Sequence, residues 1–493
     1  MVNFLITTIF YGVLMFKDQV PWWGLVLIAI LWLIYVVVEK RLSFDSPMEL
    51  PVFLLLLLLP INFFISVDRL AALPKIYGLL LGISLFFLIV KFIRKKSHLL
   101  LAGIGLFVLA LGVAFLGLFG MDWSANEVVF LSRVYERLPD LFDLISGATS
   151  FVGINPNSMG GALALFIPLL FSLLWDKCAI WDLVFTHQHR IFYLLYRLTI
   201  SITLVLSILV LLLTQSVGAI IGSVISVLIL LIWQDKRWIW SIPVFLLVAF
   251  IGFYIFLDAN FLKLVQFFEH YAIASFANRL EIWDGAIRMI PDFTLTGAGL
   301  GSFGRLFATF YSPHDQLAFH AHNTFLTVTV DMGIPVLILY ISILCGISVM
   351  AVRLTKKSPP VIRVLIMGLF GGLLAHLLFG IMDSYILGAK LGIFMWLFFG
   401  VIVSVFVHQD QMDFSTDTPG SISANTLKNP LIPQNRVLPA DLLLAFGAWL
   451  FLALVSLAFV NFNVYLSLLL AVVGGIILGI MITKRHNFKA HVN

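Results

Sequence analysis

The chain presents one uninterrupted apolar run after another, each about long enough to cross a bilayer as a helix. This feature restricts its fold more than any other. About 20 apolar residues in a helix cover ~30 Å of hydrocarbon. Such runs fall near 3–16, 21–39, 50–66, 76–93 and 98–120, then near 159–175, 191–213, 217–233 and 238–257. They resume near 323–351, 361–380, 389–407, 441–460 and 464–483. No alternating pattern of barrel strands is present, so each crossing backbone must satisfy its hydrogen bonds within a helix. The expectation is an all-α polytopic membrane protein with about fourteen transmembrane helices. Composition agrees. Hydrophobic residues make up 61% of the chain and charged ones only 11%, whereas a soluble domain carries about 25% charged residues to cover itself.

The net charge of +5 does not point to nucleic acid, because the basic residues sit in short clusters between the apolar runs. With a cytoplasmic amino terminus, twenty of the thirty Lys and Arg residues fall in cytoplasmic segments. That bias follows the positive-inside rule and places both termini in the cytoplasm. Met1–Phe16 has no leading cation and no small-residue cleavage pattern, and reads as a retained first span. Cys178 and Cys345 are far apart and belong to no Cys/His set, which argues against a disulfide framework or a structural zinc.

The chain then divides as follows: helices one to five over 1–120, an extracytoplasmic amphipathic segment over 121–158, and helices six to nine over 159–257. A large extracytoplasmic loop spans 258–322, helices ten to twelve span 323–407, and a Ser/Thr/Asn/Pro-rich linker spans 408–440. Two more helices and a basic tail close the chain over 441–493. Within 121–158, the stretch Glu127–Ile145 sets apolar residues at helical spacing against Arg133, Glu136, Arg137, Asp140 and Asp143. Ser124 and Glu127 are spaced as a capping box, and Pro139 is expected to kink the helix. Such a helix either lies at the membrane interface or offers Arg133 and Arg137 to a ligand.

The 258–322 loop is too long for a passive turn, and it concentrates polar residues in a chain that has few. Phe276–Ile290 reads as a helix with Arg279 and Trp283 on one face, and Glu281 and Arg288 belong to the same helix. Leu295–Gly304 supplies glycines for tight turns or close backbone approach. Its Gly-x-Gly spacing is not a nucleotide fingerprint, because no strand precedes it in a βαβ unit. The segment closes on His320-Ala321-His322-Asn323. A spacing of two residues suits a zinc pair poorly, since helical ligand pairs stand four apart; no metal and no cofactor is assigned. A neutral imidazole can accept the proton of an alcohol, and arginines can clamp a phosphate through paired donors. Base and clamp together are equipment for moving a group from a lipid pyrophosphate to a hydroxyl. The same residues also read as satisfied structural polar groups.

Arg279-x-x-x-Trp283, the Gly-x-Gly-x-Gly-x-Phe segment, and His320-x-His322-Asn323 separated by nine residues from Gly333 resemble the O-antigen ligase and O-antigen polymerase superfamily. Asn155-Pro156-Asn157 and Thr214-Gln215-Ser216-x-Gly218-Ala219 are similar to its upstream signatures, so the resemblance covers roughly 150–400. It implies a GT-C-like helical bundle in the bacterial inner membrane with its active loop on the extracytoplasmic face. It implies transfer of glycan from an undecaprenyl-pyrophosphate donor to a lipid, glycan or protein acceptor, without a metal and with inversion. By the same resemblance His322 and Arg279 are the catalytic candidates, and Asn323, His320, Arg288, Arg305, Glu281, Arg133 and Arg137 the substrate-binding ones. Two departures stand out: Val217 where the family often has Arg, and Val336 where its motif usually closes on Gly or Thr. Three alternatives stay open, namely a repeat polymerase of the same family, a bicarbonate-type transporter, and a non-catalytic glycan-export component. Transport predicts buried ionisable residues or broken repeats, and only Arg197 and His376 stand out within apolar runs.

Overall fold

A computed structural model describes residues 46–121, 155–175, 190–256, 274–312, 317–384, 392–409 and 439–488. The described residues are mostly helical and contain no strand. In chain order the helices are α1 (Glu49–Ile65), α2 (Arg69–Phe92), α3 (Lys96–Phe119), α4 (Pro156–Trp175), α5 (Arg190–Leu213), α6 (Val217–Gln234) and α7 (Ser241–Phe256). They continue as α8 (Ala274–Met289), α9 (Thr324–Met332), α10 (Ile334–Lys357), α11 (Pro360–Met382), α12 (Ile393–His408), α13 (Pro439–Val460) and α14 (Val464–Phe488). Nine helices among the described residues are long and apolar enough to cross a membrane. The protein is thus an all-α, multi-pass membrane protein. The first two expected spans, the amphipathic 127–145 segment with Arg133 and Arg137, and the 410–438 part of the linker lie outside the described residues.

One expected span is divided. The apolar run near 323–351 is two helices, because Gly333 at φ +84° ends α9 and starts α10. Left-handed backbone of this kind favours glycine, and a Cβ on Gly333 would lie 2.4 Å from the Leu295 carbonyl oxygen.

At the centre, α11 packs between α4 and α6, α10 packs against α14, and α12 against α2. Lipid-facing helices such as α5 leave Ile191, Leu194, Val205 and Leu212 exposed, whereas α4 is buried almost continuously from Met159 to Leu170. Between helices in lipid the driving force is close packing rather than water exclusion, so small residues mark the tightest crossings. A Cβ on Gly372 of α11 would lie 2.1 Å from the Leu165 carbonyl of α4. The two ionisable residues singled out within the apolar runs both have local partners. His376 Nδ1 lies 3.1 Å from the Gly161 carbonyl, and Arg197 donates to Leu174 O and to the Tyr193 hydroxyl. Both residues have a packing explanation, which removes the main sequence feature that transport had to draw on.

Candidate functional site

Four chain segments meet at the end of the bundle that carries the long loop. A Cβ on Gly160, near the start of α4, would sit 2.7 Å from Ser216 Cβ. Gly218, at the start of α6, would meet Met382 at the end of α11, and Gly380 of α11 would meet Thr324 of α9. The motif residues around Asn155 and Thr214 therefore come together with the His320–Asn323 segment. Val217 is 63% exposed at this same end.

The cluster itself contains a residue that the sequence did not single out. Asp383, immediately after α11, is buried and accepts a hydrogen bond at Oδ1 from His322 Nδ1 at 3.2 Å. The Ser384 backbone N–H donates to the same oxygen at 2.7 Å. His320 Nε2 stands 3.5 Å from it, and the two imidazole rings meet edge to face with centroids 4.4 Å apart. Burial opposes charge on Asp383, but the His322 hydrogen bond and the two imidazoles outweigh it and hold the carboxyl below its ordinary value. Burial first, then the neighbouring His322, pushes His320 down to about 4. His320 is therefore neutral at neutral pH. The available signal for Asp383 was a lone carboxylate directly after an apolar run.

His322 holds a backbone φ of +45°, a left-handed conformation that is uncommon outside glycine and is tolerated best by Asn, Asp and His. Two neighbours fix it there. Trp283 Nε1 donates to the His322 carbonyl at 3.3 Å. Asn323 caps α9, its Oδ1 accepting from the Phe325 and Leu326 amides at 3.0 Å each, as an N-cap does. The Asn323 amide also donates to Ile381 O at 3.1 Å, tying the cap to the end of α11. The hydrogen bonds of Asn323 thus hold the turn that carries His322.

Arg279 lies on α8 four residues before Trp283, on the face that reaches His322. The other described charged candidates on the loop have these surroundings. Arg288 pairs with Asp284 at 3.2 Å and donates to Tyr311 O, while Glu281 and Arg305 are exposed. His314 and Asp315 lie outside the described residues.

Behind the cluster, the glycine segment serves as a clamp between helices. Gly297, Gly299 and Gly301 all take positive φ, and the Ala298 and Gly299 amides donate to Val330 O and Asp331 O of α9. Asn62 of α1 donates to Thr296 O and Asp331 O and accepts from the Leu300 amide. The close backbone approach expected of these glycines is therefore borne out, and its purpose is to seat α9 against α1.

Residues 202–341 match the family model described as O-antigen ligase. The similarity covers less than a third of the chain. No curated protein matches the chain. The matched stretch runs from within α5 to within α10 and holds Arg279, Trp283, the glycine clamp, His320, His322 and Asn323. Asp383 and Asn62 lie beyond it, so the histidine cluster and the glycine clamp are completed by residues outside the matched stretch. His320, His322 and Asp383 also offer three metal-ligand atoms within 4.8 Å of one another. The 3.2 Å from His322 Nδ1 to Asp383 is the length of a hydrogen bond, which engages that nitrogen with the carboxylate.

Proposed function

We propose that this protein transfers a glycan from an undecaprenyl-pyrophosphate donor to an acceptor hydroxyl at the extracytoplasmic face of the bacterial inner membrane. The observation that carries the reading is the His322–Asp383 pair at 3.2 Å, set opposite the Arg279 face of α8. An Nδ1–H that donates to Asp383 leaves Nε2 as a proton acceptor. His322 Nε2 takes the proton of the acceptor hydroxyl as its oxygen attacks the anomeric carbon. The bond from that carbon to the phosphate oxygen breaks, and the lipid pyrophosphate leaves with the electron pair. Arg279 offsets the charge that develops on the leaving group through charge-assisted hydrogen bonds. Attack opposite the leaving group inverts the anomeric centre. Asp383 keeps the imidazole in the useful tautomer and stabilises the imidazolium that forms. The acceptor class separates ligase from polymerase within this reading.

The test is transfer by the purified protein in detergent, with polyprenyl-pyrophosphate glycan supplied and both released carrier and glycosylated acceptor measured. Loss of transfer in His322→Ala and in Arg279→Ala, with both variants still folded, is the expected result. Full activity in both would remove the assignment.

A further inference from the structure

His320 and His322 stand on the turn that precedes α9, so the four-residue spacing of helical ligand pairs does not govern them. With His322 in its left-handed conformation, the two rings meet edge to face. His322 Nδ1 and His320 Nε2 then converge on one oxygen, Oδ1 of Asp383, at 3.2 and 3.5 Å. Ligand atoms about 2.0–2.1 Å from a tetrahedral zinc ion stand roughly 3.3–3.4 Å from one another. Both measured separations lie close to that edge length, and all three atoms fall within 4.8 Å of one another.

The three atoms are also held from outside. Asn323 donates to Ile381 O and so ties the histidine turn to the end of α11, where Asp383 follows. The Ser384 N–H steadies Asp383 Oδ1, and Trp283 holds the His322 carbonyl. Supporting bonds of this kind orient metal ligands. His320 Nδ1 is buried without a hydrogen-bond partner among the described residues, so no bond on that side commits the proton of the ring. Asp383 is buried while both histidines are partly open, which gives an ion a way in. Three protein ligands with an open fourth position make an accessible zinc site.

We propose that His320 Nε2, His322 Nδ1 and Asp383 Oδ1 form an inhibitory site for a zinc-like divalent ion, the same atoms serving either acid–base chemistry or the metal. The inhibitory part rests on the function proposed above. Two imidazoles and one carboxylate suit zinc or cobalt, whereas magnesium prefers oxygen ligands throughout. In the catalytic form His322 carries its proton on Nδ1 and its free lone pair on Nε2. A metal on Nδ1 takes the lone pair of that nitrogen, and the single proton of the ring moves to Nε2. The nitrogen that accepts the proton of the acceptor hydroxyl is then already protonated, and Asp383 is committed to the ion. The ring stays neutral, no proton is released, and nothing is oxidised or reduced.

The full chain in detergent, freed of metal by a chelator, is titrated with zinc by calorimetry and with cobalt by visible absorption. Wild type is expected to bind a single zinc at the cluster, to give the visible band of tetrahedral cobalt, and to ignore magnesium. His320→Gln and Asp383→Asn should each weaken zinc binding roughly a hundredfold and remove the cobalt band, since even a supporting group costs about 10–100-fold. His320→Cys replaces the imidazole with a thiolate and is expected to keep the metal and add a sulfur-to-cobalt band, which separates loss of a ligand from loss of folding. Zinc binding unchanged in His320→Gln and Asp383→Asn puts the ion elsewhere and overturns the proposal. So does zinc bound at the cluster while wild-type transfer runs on. Transfer that survives in His322→Ala removes the proposed reaction instead, and the titrations, which use no glycan, still decide the metal site.

Discussion

His322 Nδ1 and Asp383 Oδ1 lie 3.2 Å apart, although the residues stand 61 positions apart and belong to different segments of the chain. The carboxylate comes from the end of a membrane-spanning helix and the imidazole from a loop. Asp383→Asn keeps the shape and removes the charge that orients and stabilises the imidazole. It is expected to lower kcat by roughly a hundredfold with the donor KM nearly unchanged, measured by steady-state transfer. An unchanged kcat would mean that the pair is only structural.

Stability should fall in mild acid. His320 binds its proton near 6.5 in the unfolded chain but near 4 in the folded one. The unfolded state thus holds more protons between these values, so its contribution is complete above about pH 6.5 and is lost as pH falls toward 4. Asp383, also held below its ordinary value, adds a loss in the same direction at lower pH. Thermal unfolding in detergent at a series of pH values should show this slope, and His320→Gln should flatten it.

The three candidate ligand atoms of His320, His322 and Asp383 give a metal a place to compete with catalysis. Zinc is expected to inhibit transfer, to lose potency in His320→Gln, and to be reversed by a chelator. Chelator alone should leave the untreated enzyme active. Activity that disappears with chelator and returns with zinc would make the cluster a metal centre and displace the acid–base reading.

Asn62 is the pin of the glycine clamp, with three hydrogen bonds to the loop and to α9. Asn62→Leu leaves those backbone groups unpaired and is expected to cost about 2–3 kcal/mol, read as a lower thermal midpoint. Gly333→Ala should be as harmful or worse, because it meets a positive φ and the Leu295 carbonyl together. A neutral Asn62→Leu would show that the clamp is held by packing alone.

The sequence settled the medium and the helical class, and it set 276–323 apart from the apolar runs. Runs of about 20 apolar residues have one solution in lipid, and a polar density such as that of 276–323 has no place in hydrocarbon. It also picked out His322, Arg279 and the glycines, since each is a local feature of residue type and spacing. Tertiary structure alone decided the rest. A uniformly apolar helix carries no moment to show which side faces its neighbours, so nothing in the run before Asp383 reveals that its end meets His322. The division of 323–351 at Gly333 likewise depends on the approach of the Leu295 carbonyl, a contact between distant segments. The same reason hid Asn62, whose partners are backbone groups from the far half of the chain.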